Sequence, residues 1–185
     1  LIGIIGPMDP LIANAEALAR RAHAGQTRKF SGDPYIGHPG RVAARLARRF
    51  PGNTALIAAG WCHDVVEDCP QISAEELRAA IGDAGFAIVS EVTNPSKQHP
   101  GLSRAERKAM DRAHIAHLSH DARCLKLADR ADNLKDASTS PDRAWVATYV
   151  GESRLLAEVL KGTDAELEGE LGEAMVVAAK ACGIA

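Results

Sequence analysis

The stretch Ala58-Ala59-Gly60-Trp61-Cys62-His63-Asp64-Val65-Val66-Glu67-Asp68 places one imidazole and three carboxylates directly after an apolar run. On a helix, residues four apart are offset by only about 40° around the axis, so His63 stacks with Glu67 and Asp64 with Asp68. All four then fit within an arc of roughly 140°. Three acids crowded onto one face repel one another unless a cation sits among them. The stretch therefore points to a metal site carried by a helix rather than to a solvated surface.

The flanking sequence frames this helix among others. Pro51-Gly52-Asn53 breaks the chain before it, and Asn53 or Thr54 can cap it. Upstream, Leu11 to His23 carries apolar residues at helical spacing and ends near Gly25, and His38-Pro39 opens a helix with Val42, Leu46 and Phe50 on its buried face. Between them, Ser31-Gly32-Asp33-Pro34 is a turn signal, and the pieces on either side form a short β-hairpin near residues 27–37. Downstream, Ser73 with Glu76 and Ser103 with Glu106 are capping-box patterns. Helices are expected over 74–81, 82–92, 103–118, 121–137, 142–161 and 164–181, with a polar loop at 93–103. The expectation is an all-α fold of eight or nine helices in a single domain spanning residues 8–185.

Composition agrees. A chain of 185 residues is long enough for one real core, and only 4% of it is aromatic while Ala, Leu and Arg abound, which favours helices over strands. The formal net charge of -2 gives no sign of a nucleic-acid partner, and no run approaches the roughly 18 apolar residues of a membrane span. Cys62, Cys69, Cys124 and Cys182 form no CxxC pair and read as reduced thiols of a cytoplasmic protein, Cys62 and Cys124 as small buried hydrophobes. Residues 1–7 lack the basic start and cleavage site of a signal peptide and read as a cloning remnant or a disordered terminus.

A second focus lies at Lys126-Leu127-Ala128-Asp129-Arg130-Ala131-Asp132-Asn133. Asp129 and Asn133 share a helix face. With His38, His63 and Asp64, Asp129 completes a set of two histidines and two carboxylates drawn from three separate helices. Mixed nitrogen and oxygen ligands with room for water suit a divalent first-row metal, leaving Mn²⁺, Fe²⁺, Co²⁺ and Zn²⁺ open.

His63-Asp64 with a distant Asp resembles the pattern of the HD phosphohydrolase superfamily. The surrounding motifs occur in order: Ala22 to Lys29, Pro34 to Pro39, His63 to Asp68, Glu91 to Thr93 and Lys126 to Arg130. Together they are similar to the hydrolase domain of RelA/SpoT-type proteins, over roughly residues 10–180. With no length left for the synthetase or regulatory domains of the long members, the likeness is to the stand-alone small alarmone hydrolases of the metazoan SpoT-homologue type. That resemblance implies an HD-domain helical fold and Mn²⁺-dependent removal of the 3′-pyrophosphate of ppGpp or pppGpp. It implies His38, His63, Asp64 and Asp129 as metal ligands and Glu67 and Asp68 as the catalytic acidic pair. Arg28, Lys29, Asn133 and Tyr149 would contact the nucleotide.

Two positions depart from the resemblance. Asp132 stands where many long members carry a histidine, and Trp145 stands where small hydrolases tend to carry an arginine one turn before Tyr149. Other readings remain: hydrolysis of another phosphorylated nucleotide such as NADPH, or an alarmone-binding module without catalysis, against which the intact Glu67-Asp68 pair argues. Monomer and homodimer are both open. His23 reads as structural, His99, His114, His117 and His120 as surface residues, and Arg45, Arg48 and Arg49 as a solvated face. Tyr35 and Tyr149 fit either a base-stacking role or the core.

Overall fold

Helix α3, Thr54–Cys62, is apolar on every side, and a helix of that kind belongs in the middle. The computed structural model, which describes residues 9–184, places it there, packed against α1 (Pro10–Ala22), α2 (Gly37–Arg49), α5 (Ala74–Val92) and α7 (His120–Ala137). The four-residue α4 (Val65–Asp68) follows α3, and α6 (Arg104–Ile115), α8 (Arg143–Leu160) and α9 (Ala165–Cys182) complete the domain. Among the described residues there is no strand, so the all-α expectation holds. The expected hairpin reduces to one antiparallel bridge between Thr27 and Pro34, and Gly32 turns the chain at a φ of 74°. The reading of residues 1–7 falls outside the described residues.

Local sequence sets the helix ends. Asn53, Ser119, Asp142 and Asp164 each accept a backbone N–H in the first turn of the helix that follows, and Ser103 with Glu106 forms the full capping box. The two helices expected over 74–92 run end to end as α5, kinked at Gly82, where φ is 70° and ψ 169°. The loop after α5 contains one 3-10 turn, Pro95–Gln98. Leucines from α2, α3, α7, α8 and α9 (Leu46, Leu56, Leu125, Leu127, Leu134, Leu160, Leu167 and Leu171) fill the core. No described helix is long and apolar enough to cross a membrane.

The arginines of α2 do not form a free solvated face. Arg45 and Arg48 pair with Glu170, and Arg49 with Asp164, tying α2 to α9. Their partners lie more than a hundred residues away, so local spacing could not show them.

Gly60 lets α3 approach α2. A Cβ there would stand 3.0 Å from both Ala43 Cα and Leu46 Cδ1. Gly60→Ala is expected to destabilise the fold by about 1–2 kcal/mol, net of the roughly 1 kcal/mol that alanine gains in helix propensity. Urea unfolding measures this, and an unchanged midpoint would mean that the two helices part freely.

Candidate metal centre and active site

Three segments converge at one point. The first turn of α2 supplies His38, the joint between α3 and α4 supplies His63 and Asp64, and the middle of α7 supplies Asp129. Ligand atoms of His38, His63 and Asp129 all lie within 4.8 Å of one another. His38 Nε2 is 3.2 Å from His63 Nε2. Asp64 Oδ2 is 3.4 and 3.1 Å from those two nitrogens, and Asp129 Oδ1 is 3.3 and 3.5 Å from them. All four residues expected as ligands are thus brought together.

The hydrogen bonds on the far side of each ring decide what faces inward. His63 Nδ1 lies 2.9 Å from the Gly60 carbonyl, which can only accept, so Nδ1 carries the proton. His38 Nδ1 likewise donates to Asp132 Oδ2 at 2.7 Å. Both Nε2 atoms therefore face each other and two carboxylates, an arrangement that holds only around a positive charge, whether a proton on the imidazoles or a bound cation. Burial opposes a charge on His38, but Asp129, Asp132 and Asp64 outweigh it and push its pKa up to about 9. Burial also resists ionisation of Asp64 and Asp129, yet the two histidines hold both well below the ordinary carboxylate range. The donor set fits a divalent ion. Metal–donor distances of about 2.0–2.2 Å put neighbouring donors about 3–3.5 Å apart, which matches the separations found.

Two further side chains brace the ligands. Tyr35 donates its hydroxyl to Asp64 Oδ2 at 2.7 Å, which settles Tyr35 as a supporting residue rather than a core-filler. Asp132, buried, is held by His38 and by a two-point contact from Arg41. The sequence carried a signal for Asp132, since it lies three residues after Asp129 on the same helix face. Its partner Arg41, in contrast, is 91 residues away.

The acidic pair is arranged differently from a continuous helical stripe. His63 and Asp64 form a joint between α3 and α4, although both keep near-helical dihedrals and the Asp68 N–H still reaches the Asp64 carbonyl at 2.9 Å. Glu67 Oε1 accepts from the Asn94 backbone and side chain at 2.8 and 2.9 Å, and Oε2 lies 3.2 Å from Lys97 Nζ. Glu67 lines a cavity together with Asp64 and Asp129. Asp68 stands further out, and burial together with the charges of Asp64 and Glu67 raises its pKa against the opposing effect of Lys97. Asn94 and Lys97 lie in the loop whose sequence gave no motif, and nothing local marked them.

Four cations, Lys108, Arg112, Lys126 and Arg130, line the same cavity, together with Asp111, Glu152, Asn133 and Tyr149. Arg130 lies over the Tyr149 ring at 4.7 Å and makes no ion pair among the described residues. Burial and the neighbouring charge of Arg130 lower the pKa of Lys108. Asn133 donates to Asp129 and accepts from Arg28 Nη2 at 2.8 Å. Arg28 is buried, with its guanidinium turned to Asn133 and, at 3.3 Å, Asp136. It therefore ties the α1–α2 loop to α7. Lys29 is exposed, its ammonium over the Phe30 and Trp145 rings at 5.1 and 5.5 Å. Trp145 stacks on Tyr149 with centroids 5.0 Å apart, so this departure builds an aromatic platform at the rim. His23 is buried against Gln26, a structural role, and His114 bonds the Glu91 carbonyl. Cys62 and Cys124 are buried thiols, as expected, with pKa values pushed up to about 12, burial being the main cause.

Comparison with known proteins agrees with this geometry. Residues 15–152 match the family model described as HD domain. The Xenopus tropicalis protein MESH1, named a guanosine-3′,5′-bis(diphosphate) 3′-pyrophosphohydrolase, is 34% identical over 87% of this chain and 90% of its own length. The human MESH1 protein is 32% identical over 86% of this chain and 90% of its own. A Synechocystis protein, a probable 3′-pyrophosphohydrolase of the same name, is 36% identical, but the chain spans only 20% of its length. A solved structure of a metazoan SpoT orthologue described as hydrolysing ppGpp superposes with a TM-score of 0.79 at 27% identity, covering 96% of this chain and 98% of that one. The helical frame, the histidine–aspartate centre and these matches together place the chain in the HD-domain family, alongside the MESH1 proteins.

Proposed function

We propose that this chain hydrolyses the 3′-pyrophosphate of guanosine alarmones, converting ppGpp or pppGpp and water to GDP or GTP and pyrophosphate, with Mn²⁺ as the metal. The observation that carries the reading is one cavity whose lining joins Asp64, Asp129 and Glu67 to four cations, Lys108, Arg112, Lys126 and Arg130. A nucleotide carrying phosphates on both its 3′ and 5′ sides can engage the metal donors with one group and these cations with the other. The MESH1 relatives, similar over nearly their whole length, are named for that reaction.

A divalent ion held by His38, His63, Asp64 and Asp129 would supply a water of lowered pKa and polarise the reacting phosphate. Glu67, fixed by Asn94, would orient the attacking water and take its proton as the water oxygen bonds to the phosphorus attached to the ribose 3′-oxygen. The bond from phosphorus to the 3′-oxygen breaks, the ribose oxygen gains a proton, and pyrophosphate leaves as a unit. Asp68, whose pKa is raised by burial and by the charges of Asp64 and Glu67, is assigned the return of that proton. Lys29 offsets the charge of the departing pyrophosphate, while Arg28 and Asn133 hold Asp129 in place. Tyr149 and Trp145 offer a face on which the nucleoside packs.

The test is product analysis after incubation with Mn²⁺ and ppGpp, NADPH or deoxynucleoside triphosphates. GDP and pyrophosphate from ppGpp are expected. Inorganic phosphate from NADPH with ppGpp left intact would move the assignment to another nucleotide, and ppGpp binding without turnover would make the chain a binding module.

A further inference from the structure

We propose that Asp132 and Arg41 act as a brace that orients His38 as a metal ligand, so that the affinity of the centre for its ion depends on a residue near the surface. The proposal rests on the metal reading above but not on the identity of the substrate. His38 and Arg41 are three residues apart on α2 and therefore share a face, and Asp132 on α7 lies opposite both. Asp132 Oδ2 accepts from His38 Nδ1 at 2.7 Å and from Arg41 Nη2 at 2.9 Å, while Oδ1 accepts from Arg41 Nε at 2.7 Å. The two inner side chains are sealed from solvent, at 0% and 1% exposure, whereas Arg41 is 46% exposed.

This geometry does three things at once. It keeps the proton of His38 on Nδ1, so that Nε2 is the donor facing His63, Asp64 and Asp129. It fixes the ring plane, because the carboxylate cannot rotate while both its oxygens are held by a planar guanidinium. It also places a full negative charge behind the imidazole, which makes Nε2 a stronger donor to a cation. His63 has only the Gly60 carbonyl in the equivalent position. The two histidines are thus unequally supported, and His38 is the ligand held by a charge.

The measurement is Mn²⁺ affinity of the intact protein without nucleotide, read from the electron paramagnetic resonance signal of free Mn²⁺, with thermal unfolding of the metal-free protein recorded alongside. Asp132→Asn is expected to weaken Mn²⁺ binding about 10–100-fold. Arg41→Ala, a change at a half-exposed site, is expected to weaken it about 3–10-fold, acting through Asp132. The double variant should bind no more weakly than Asp132→Asn alone, because Arg41 has no effect once the carboxylate is gone. A purely structural ion pair would instead lower the unfolding temperature and leave Mn²⁺ affinity unchanged in every variant, which overturns the brace. Should Asp132→Asn fail to fold, Arg41→Ala decides: an unchanged affinity there overturns the proposal. Failure of the metal reading would look different, since the parent protein itself would then bind no Mn²⁺.

Discussion

Asp129→Ala should leave a folded protein that neither holds Mn²⁺ nor turns over ppGpp. Asp129 Oδ1 faces both inward nitrogens, and Asn133 anchors it from the next turn of α7. Without it, His38 and His63 confront each other with Asp64 as the only remaining inward carboxylate, and a site of mixed nitrogen and oxygen donors loses half its charge. Loss of the ion removes a contribution of several kcal/mol to the transition state, so turnover should fall by at least about 10³-fold, or about 4 kcal/mol. Metal content after dialysis and steady-state hydrolysis measure the two effects, and circular dichroism checks the helices. Stoichiometric Mn²⁺ bound with parental affinity would remove Asp129 from the ligand set. Asn133 would also lose the acceptor of its amide, while Arg28 keeps its contacts with Asn133 and Asp136.

Glu67→Gln should separate binding from chemistry. The substitution preserves shape and one acceptor oxygen, so the contact with Asn94 can persist while the charge is lost. Because the Glu67 carboxylate bonds Asn94 and Lys97 and, among the described residues, none of the four ligand side chains, Mn²⁺ affinity should change little. The amide cannot take a proton from water, so kcat should drop by about 10²–10⁴-fold, the usual contribution of a positioned base. Should this variant lose its metal while Asp64→Asn keeps it, the division between ligands and proton carriers is wrong.

Much of this site was legible in the sequence because its elements announce themselves locally. His63-Asp64 and Asp129 sit in short motifs, His38 opens a helix beside Pro39, and Asn53, Ser73 and Ser103 mark the helix starts. What local pattern could not show was the break in the helix at His63-Asp64, which keeps helical dihedrals while ending one hydrogen-bonded run and starting another. Nor could it show partners fixed only by tertiary packing. Arg28 reads as a solvated cation until α7 comes within reach, and Arg41 is an ordinary surface arginine until Asp132 is placed beneath it. Asn94 and Lys97 sit in a loop with no motif, and only the fold brings them onto Glu67.

The aromatic platform at the rim also has an optical consequence. The chain has two tryptophans. Trp61 packs near Gly40 beneath Arg20, and Trp145 lies flat on Tyr149, which lines the cavity. On the proposed function, a guanine packing beside Tyr149 would change the surroundings of one emitter and leave the other as an internal reference. The departure at position 145 would then serve as a built-in fluorescent gauge of occupancy, readable in real time without a label.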